Sequence, residues 1–274
     1  MKNFDLSGKT ALITGAAGLL GLKHCEALAD IGCNVILTDL DLRQLTLKRK
    51  ILEDKYPLIK FYSFVMDVTC ENSIRKVLSE LENNNIELNI LINNAAVNPQ
   101  VNEQGILNTN RLENFELEEW NFQISVGLTG AFLCSKHFGF MISKNKTGGV
   151  IINISSDLSV IAPDQRLYEK ENVFRDEQDV KPVTYSVVKT GLIGLTRYIA
   201  TYWADAGVRC NALSPGGIKS GQSDEFIKRI EKLIPLGVMA NSDEYCASIQ
   251  FLCSDASRYM TGQNLVIDGG RSVW

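Results

Sequence analysis

The clearest candidates for catalytic residues in this chain are a tyrosine and a lysine four residues apart. Tyr185 and Lys189 would lie on one face of a helix, one turn apart. A nearby ammonium favours the phenolate, so it lowers the pKa of a tyrosine towards the range that a general acid or base needs. Ser155 and Ser156 follow an apolar run upstream, and the Ser156 hydroxyl could hold a substrate oxygen beside the phenol. On its own, the same tyrosine–lysine spacing also occurs on helices without any catalytic role.

The N-terminal segment predicts a bound dinucleotide. A short strand over residues 9–14 runs into a turn with Gly15, Gly18 and Gly21, and a helix follows. Glycines let the backbone approach a pyrophosphate, and a helix N-terminus presents free N–H groups to the anion. The next apolar strand ends at Asp39, an acid that can accept hydrogen bonds from both ribose hydroxyls of NAD and would repel the 2′-phosphate of NADP. The segment therefore predicts NAD as the cofactor.

Alternating strands and helices predict an α/β fold. The expected strands lie near 9–14, 34–38, 60–66, 88–93, 148–155, 207–213 and 264–268, and the expected helices near 18–31, 41–54, 70–84, 116–143, 183–205 and 242–254. Short apolar strands with helical crossovers imply a parallel sheet covered on both faces. We predict a single doubly wound Rossmann-type domain over residues 1–274, with about seven strands and its ligands at the carboxyl ends of those strands.

With these motifs, the chain resembles the classical short-chain dehydrogenases/reductases over nearly its whole length. Further matches are Asp67-Val68, Asn93-Asn94-Ala95-Ala96, Pro215-Gly216 followed by Ile218, Thr261-Gly262-Gln263 and Asp268-Gly269-Gly270. The cofactor contacts that the resemblance and the glycine turn imply come from Gly15, Gly18, Leu19, Leu20, Gly21, Asp39, Asp67, Val68, Asn93, Ala95, Tyr185, Lys189, Pro215, Gly216 and Ile218.

The resemblance also implies a reaction. A hydride would pass between the nicotinamide ring and an alcohol or carbonyl carbon. Tyr185 would exchange the proton, Lys189 would lower its pKa and contact the nicotinamide ribose, and Ser156 would orient the reacting oxygen. Two alternatives stay open: an epimerase or dehydratase of nucleotide-sugars that uses NAD transiently, and a non-catalytic NAD-binding partner in a glycan-assembly complex.

The chain departs from the family pattern in four places. Leu19 stands in the glycine turn where glycine or alanine is usual, and Gly127 stands where a fourth catalytic residue, an asparagine, is usual. That asparagine helps to hold a water that links the lysine to solvent, so either another group serves this relay or the chemistry is altered. An insertion of about 163–182 separates Ser156 from Tyr185, and a long asparagine-rich connection spans 97–116.

These two long segments bear on the substrate. The insertion is either a solvated surface excursion or a polar, partly cationic lid over the nicotinamide end, with Arg166, Lys170 and Arg175 as candidate anion contacts. Polar walls on both sides favour a sugar or nucleotide-sugar over a steroid or long acyl chain. Two stretches, over 127–135 and 181–189, resemble short-chain dehydrogenases of bacterial flagellin modification and surface-glycan biosynthesis.

Composition narrows the class of protein. The chain has 274 residues, 45% of them apolar, and a net charge of −4, which gives no support to a nucleic-acid or anionic-membrane partner. Seven scattered cysteines indicate reduced thiols in a cytoplasmic protein. His24 and His137 are expected on helix surfaces, and no metal site is predicted. The apolar C-terminal segment, which ends in Trp274, favours a homodimer or homotetramer.

Overall fold

Seven parallel strands form one sheet. The structure is a computed structural model that describes residues 2–97 and 110–274, so most of the connection over 97–116, predicted as a polar wall, lies outside the described residues. The strands are β1 (Thr10–Thr14), β2 (Asn34–Asp39), β3 (Phe61–Val65), β4 (Ile90–Asn93), β5 (Gly149–Ile154), β6 (Val208–Pro215) and β7 (Asn264–Ile267). Their order across the sheet is β3-β2-β1-β4-β5-β6-β7, and every neighbouring pair is parallel.

Helices connect the strands. They are α1 (Leu19–Ala29), α2 (Leu42–Lys55), α3 (Glu71–Asn83), α4 (Leu117–Ile124), α5 (Gly130–Cys134), α6 (Phe140–Ser143), α7 (Val183–Tyr202), α8 (Asp224–Glu231) and α9 (Cys246–Cys253). Two π-helical turns, Ser125–Thr129 and Ser135–Gly139, join α4, α5 and α6 into one continuous helix. That helix corresponds to the one predicted near 116–143.

The sheet has an apolar core on each face because successive side chains of a strand point to opposite sides. In β1, Ala11 and Ile13 belong to the core beneath α1, α2 and α9. Leu12 belongs to the other core, beneath α3, α7 and the α4–α6 helix. The predicted Rossmann-type α/β fold, with a parallel sheet of seven strands and helices on both faces, is confirmed.

The sequence patterns predicted no element where α8 lies. This helix has only eight residues and a short apolar face, on which Ile227 and Ile230 pack against Leu167 and Ile234. The Ser223 hydroxyl caps it by accepting a hydrogen bond from the third amide of the first turn. Because Leu167 lies in the insertion, α8 owes part of its packing to a segment too irregular to predict from periodicity.

The prediction for His24 was wrong. Its side chain is fully buried on α1, and neither ring nitrogen has a hydrogen-bond partner among the described residues. Burial lowers the pKa of His24 to about 3, so the ring is neutral at physiological pH. The helix is covered by the sheet and by α9, which leaves little of its surface to solvent. His137 is half-buried and hydrogen-bonds to Glu71 at 2.7 Å.

The cysteines are mostly interior thiols. Five of the seven are buried, Cys246 is half-buried and Cys70 is exposed. Burial raises the pKa of Cys134 and of Cys253 to about 12, so both are protonated at neutral pH. Within residues 2–97 and 110–274, no three His, Cys, Asp or Glu side chains are grouped as a metal site requires. Over the same residues, no helix has the length and apolar character to cross a membrane.

Candidate active site

A cavity of about 1100 Å³ opens at the edge of the sheet where the strands end. Ligands of parallel α/β sheets bind at this edge, outside the carboxyl ends of the strands. The volume exceeds the roughly 300–1,000 Å³ of an ordinary small-molecule pocket, so it suits a dinucleotide together with a second ligand. Of the residues predicted for the site, all but Asn93 line this cavity.

The glycine turn forms a close cradle at this edge. Gly15 has a φ of +63°, and a Cβ there would lie 3.0 Å from the Cα of Ala95. A Cβ at Gly21 would overlap the carbonyl of Gly15, so the start of α1 can pack on the turn only without a side chain there. Gly18 is the N-cap of α1, and Leu19 is half exposed in the cavity wall. The turn therefore brings the free N–H groups of α1 to the cavity, as a pyrophosphate site requires.

Two strand-end carboxylates lie in the same wall. The Oδ2 atom of Asp39 accepts from the amide of Ala17 at 3.1 Å, and its Oδ1 atom accepts from the amide of Leu40 at 2.8 Å. The Oδ1 atom of Asp67 accepts from both the amide and the hydroxyl of Thr69, at 2.8 and 2.7 Å. Both acids are thus held by hydrogen bonds, and Asp39 is tied directly to the glycine turn.

Asn94, rather than Asn93, presents its side chain to the cavity. Asn93 is the last residue of β4, and its buried amide donates to Ser135 at 3.0 Å and to Asn153 of β5 at 2.8 Å. Asn94 lines the cavity and donates to the carbonyl of Gly15 at 3.1 Å. Successive residues of an extended chain face opposite sides, so only one of the two asparagines can face the ligand. Asn93 braces the sheet from within, and Asn94 ties the turn after β4 to the glycine turn.

The turn after β6 is also close-packed. Pro215, Gly216 and Ile218 line the cavity, as predicted. A Cβ at Gly216 would lie 2.7 Å from the Cα of Asp268, and the Tyr245 hydroxyl donates to the Gly216 carbonyl at 3.2 Å. Gly216 is therefore needed where the ends of β6 and β7 come together.

Ser156, Tyr185 and Lys189 come together in one part of the cavity. Ser156 follows β5, and the other two lie on α7. The Nζ atom of Lys189 donates to the carbonyl of Ile154 at 2.9 Å, and Ser155 Oγ donates to the carbonyl of Lys189 at 2.7 Å. These bonds fix α7 against the end of β5. Lys189 Nζ lies 5.7 Å from the centre of the Tyr185 ring, which is the neighbourhood that the sequence predicted.

Burial dominates the acid–base properties of these groups. It raises the pKa of Tyr185; the hydrogen bond with Ser156 opposes this shift and the Asp157 charge adds to it. Burial, with repulsion from Lys181, lowers the pKa of Lys189 to about 8. The expected net lowering of the tyrosine pKa is therefore not found, because the cost of burying a phenolate is the larger effect. At neutral pH Tyr185 is a protonated phenol that can donate to a carbonyl oxygen.

A buried ion pair beside Ser156 was not predicted. Ser156 Oγ donates to Oδ1 of Asp157 at 2.8 Å and accepts from the Leu158 amide at 3.2 Å. The other carboxylate oxygen of Asp157 accepts from Arg271 at 2.7 Å, and the two charged side chains are only 4% and 7% exposed. The position of Asp157 next to Ser156 is visible in the sequence. Its partner is 114 residues away, and no local pattern connects the two.

Comparison with known proteins assigns the chain to a family. A family model described as enoyl-(acyl carrier protein) reductase matches residues 15–272. The chain belongs to the short-chain dehydrogenase/reductase family. The NAD-dependent glycerol dehydrogenase of Listeria innocua is 29% identical over 99% of this chain and 97% of its own length. The 2-dehydro-3-deoxy-D-gluconate 5-dehydrogenase of Bacillus subtilis is 31% identical, over 97% and 96%.

A solved structure agrees with these relatives. The gluconate 5-dehydrogenase of Burkholderia cenocepacia, in complex with NADP and tartrate, superposes with a TM-score of 0.84 at 26% identity. The match covers 99% of this chain and 98% of that protein. Members similar to this chain thus include both an NAD-dependent and an NADP-bound dehydrogenase.

Gly127 lies beside α7, at the position where the resemblance to short-chain dehydrogenases leads one to expect an asparagine. It borders a second cavity of about 10 Å³ that Tyr185, Val188 and Lys189 also line. A cavity of about 10–15 Å³ is the smallest that holds one water. A Cβ at Gly127 would lie only 2.6 Å from Cγ1 of Val188, so the glycine and the valine fit each other. Space next to the lysine favours the interpretation in which a water serves the relay without an asparagine side chain.

The insertion over about 163–182 forms part of the wall of the main cavity. Its irregular course includes short 3₁₀ turns at Gln165–Tyr168 and Arg175–Glu177. The insertion residues that line the cavity are Leu167, Tyr168, Glu169, Lys170, Asp179 and Lys181. Of the three cations named from the sequence as anion contacts, only Lys170 lines the cavity. Arg166 is 79% exposed and paired with Asp164, so it is not placed to meet a ligand there.

Proposed function

We propose that this protein is an NAD(H)-dependent dehydrogenase that interconverts an alcohol and a carbonyl group on a polar, sugar-like substrate. The observation that carries the proposal is the arrangement of Ser156, Tyr185 and Lys189 in one cavity with the glycine cradle. The glycerol, gluconate and dehydro-deoxy-gluconate dehydrogenases among its relatives support a polyhydroxylated substrate.

The residues present fit a dinucleotide. A Cβ at Gly15 would crowd the backbone of Ala95, and a Cβ at Gly21 would overlap the Gly15 carbonyl, so glycines allow the compact turn that brings the N–H groups of α1 to the cavity for a pyrophosphate. Gly18, Leu19, Leu20 and the start of α1 would hold the phosphates, and Asp39 would hold the adenosine ribose. When bound, the nicotinamide accepts or supplies the hydride.

The protein's own part is positioning and proton exchange. Ser156 would hold the reacting oxygen, and Tyr185 would donate a proton to a carbonyl or take one from an alcohol. Lys189, buried and bound to the Ile154 carbonyl, would stabilise the phenolate once Tyr185 has given up its proton. The single hydroxyl proton of Ser156 is donated to Asp157, which Arg271 holds in place, so the hydroxyl would rotate towards the ligand to donate to a carbonyl oxygen.

Asp39 supports NAD over NADP. Its carboxylate stands at the end of β2 against the glycine turn, where a 2′-phosphate would meet a negative charge. Arg43, at the start of α2, is the nearest cation in sequence that could offset this repulsion. The NADP-bound relative makes direct measurement of both dissociation constants the deciding test.

The proposal also includes a biosynthetic role and an oligomeric state. A role in making a sugar for flagellin or surface glycans stays a prediction from sequence resemblance. Assembly as a homodimer or homotetramer is supported by Val273 and Trp274, which are 78% and 76% exposed in the single chain. Sedimentation at micromolar concentration tests the assembly, and a monomer would contradict it.

The experiment for the reaction is a substrate panel. Glycerol, D-threitol and D-gluconate would be incubated with NAD or NADP, and reduced cofactor followed by absorbance. Net accumulation of NADH supports a dehydrogenase, whereas turnover without it supports the epimerase or dehydratase alternative. Tyr185→Phe is the control: it should bind NAD with nearly unchanged affinity but lose turnover, since the ring remains and the proton does not. Near-normal turnover of this variant would refute the assigned acid–base role.

A further inference from the structure

The last residue of the insertion before Pro182 is held in a fixed position. The side-chain amide of Gln165 bonds both backbone polar groups of Lys181: its Oε1 accepts from the Lys181 amide at 2.9 Å, and its Nε2 donates to the Lys181 carbonyl at 3.4 Å. Pro182 then caps α7, the helix that carries Tyr185. The backbone of Lys181 is therefore fixed relative to the catalytic helix.

The rest of the insertion is also anchored. Arg229 of α8 donates to the carbonyl of Glu169, and the rings of Tyr168 and Phe226 lie 5.5 Å apart. Leu167 is buried in the apolar cluster around α8. A cavity wall built in this way is preformed, so binding a ligand to it does not require ordering a free loop.

The ammonium group of Lys181 lies next to the ring of Tyr185, the proposed acid or base. Its Nζ atom lies 3.8 Å from the centre of the Tyr185 ring, closer than the 5.7 Å of Lys189. Burial lowers the pKa of Lys181 to about 8, and its charge lowers the pKa of Lys189 in turn. The ammonium groups of Lys181 and Lys189 thus both lie near the Tyr185 phenol. An anion bound next to them in the cavity would favour the charged form of both lysines.

The other cations of this wall have structural tasks. Lys170 pairs with Asp179 at 2.6 Å, Arg271 pairs with Asp157 at 2.7 Å, and Arg229 binds Glu225 and the insertion backbone. Lys181 has contacts of its own within the protein, and its position against Tyr185, not a lack of partners, sets it apart.

We propose that Lys181 binds an anionic group of the substrate beside the reacting carbon, so that the substrate class is sugar acids or sugar phosphates and not neutral polyols. The inference rests on the proposed alcohol–carbonyl chemistry at Tyr185. Carboxylate and phosphate share the chemistry that an ammonium recognises, a charge-assisted N–H···O bond. Pre-positioning of the ammonium would add specificity at the point where the substrate oxygen meets the phenol.

The test is equilibrium binding to the enzyme saturated with NADH. D-glucitol, D-gluconate and D-glucitol 6-phosphate share a carbon chain and differ in charge, and an alcohol bound with NADH cannot react. We expect at least one of the two anions to bind about tenfold or more tightly than glucitol. Lys181→Gln should weaken that anion about ten- to a hundredfold and leave glucitol unchanged. Arg166→Gln, which removes an exposed charge from the same insertion, should keep the preference.

Three outcomes would overturn the inference: equal binding of all three ligands, an anion preference that survives Lys181→Gln, or equal weakening of glucitol and the anions. An unchanged NADH affinity shows that the variant is folded. The pH profile of turnover gives a second readout. If Lys181→Gln shifts this profile equally for charged and neutral substrates and leaves their relative affinities unchanged, Lys181 only adjusts the pKa of Tyr185 and does not bind the anion. Because these complexes do not react, a missing turnover would count against the proposed function and not against the anion preference.

Discussion

Removal of the Arg271 side chain tests how the end of the chain supports the reaction centre. In Arg271→Met, Asp157 stays buried without its ion partner, which is 2.7 Å away in the native protein. Loss of one partner of a buried pair costs about 3–5 kcal/mol. At roughly 2–4 °C per kcal/mol for a chain somewhat smaller than this one, the thermal midpoint should fall by about 6–20 °C.

The same change should reach Tyr185, the proposed acid or base. The Asp157 charge already raises the pKa of Tyr185, and without Arg271 to offset it the phenolate becomes less favourable still. In the proposed mechanism Tyr185 is the base for alcohol oxidation, so the pH profile of oxidation should move to higher pH. The double variant Asp157→Asn, Arg271→Met has no stranded charge and should recover most of the stability, and its pH profile should lie at or below that of the native protein because the Asp157 charge is also gone.

Circular dichroism melts and pH–rate profiles measure both effects. A matched control is Arg49→Met, which removes a pair of the same 2.7 Å length whose side chains are 42% and 43% exposed. An exposed pair contributes about 0–1 kcal/mol, so this variant should melt close to the wild type. If Arg271→Met behaved like the control in both assays, the buried pair would be irrelevant to stability and to Tyr185.

Three other variants test separate parts of the structure. Asp39→Ser should shift the ratio of NAD to NADP affinity towards NADP by about tenfold or more, because it removes the negative charge that would face the 2′-phosphate. Titration of both cofactors measures this ratio, and an unchanged value would refute the role of Asp39. Gly127→Ala should lower stability by about 1–3 kcal/mol through overlap with Val188, and Val188→Ala in the same chain should restore part of it; strictly additive melting shifts would contradict this coupling. His24 has a pKa of about 3 in the folded state and about 6.5 in the unfolded state, so the unfolded state binds more protons between these pH values. The contribution of His24 to the free energy of unfolding is therefore complete above pH 6.5 and falls by up to about 1.4 kcal/mol per pH unit as the pH drops towards 3. His24→Leu should remove that slope, and an equal loss of unfolding free energy between pH 7 and pH 5 in both proteins would show that this histidine is not its source.

Local patterns predicted the elements that position the site. The apolar strands, the glycine turn and the acid at Asp39 each depend on a few neighbouring residues, and the helix with Tyr185 and Lys189 fixes their relation by its own geometry. The strand order could follow because crossover connections of parallel strands are restricted. Apart from the strand order, these features use information within about 30 residues.

Features that depend on distant contacts were not accessible in this way. The partner of Asp157 lies 114 residues further along the chain, and the burial of His24 depends on α9 packing over α1. Lys181 was visible only as one cation among several in the insertion, and the amide clamp of Gln165 that fixes its backbone has no local signal. The end of β4 at Asn93 was predicted, but this strand is buried on both faces, so its residue pattern does not show which of Asn93 and Asn94 faces the cavity.

The distribution of thiols has a practical consequence. Cys70 is the N-cap of α3, three residues after Asp67 in the cavity wall, and it is exposed. Five other thiols are buried, and burial raises the pKa of the half-buried Cys246. A thiol-reactive fluorophore should therefore attach to the native protein at Cys70, without any engineered cysteine. A dye at the rim of the nucleotide half of the cavity would report cofactor binding through its emission, even for variants that have lost all turnover.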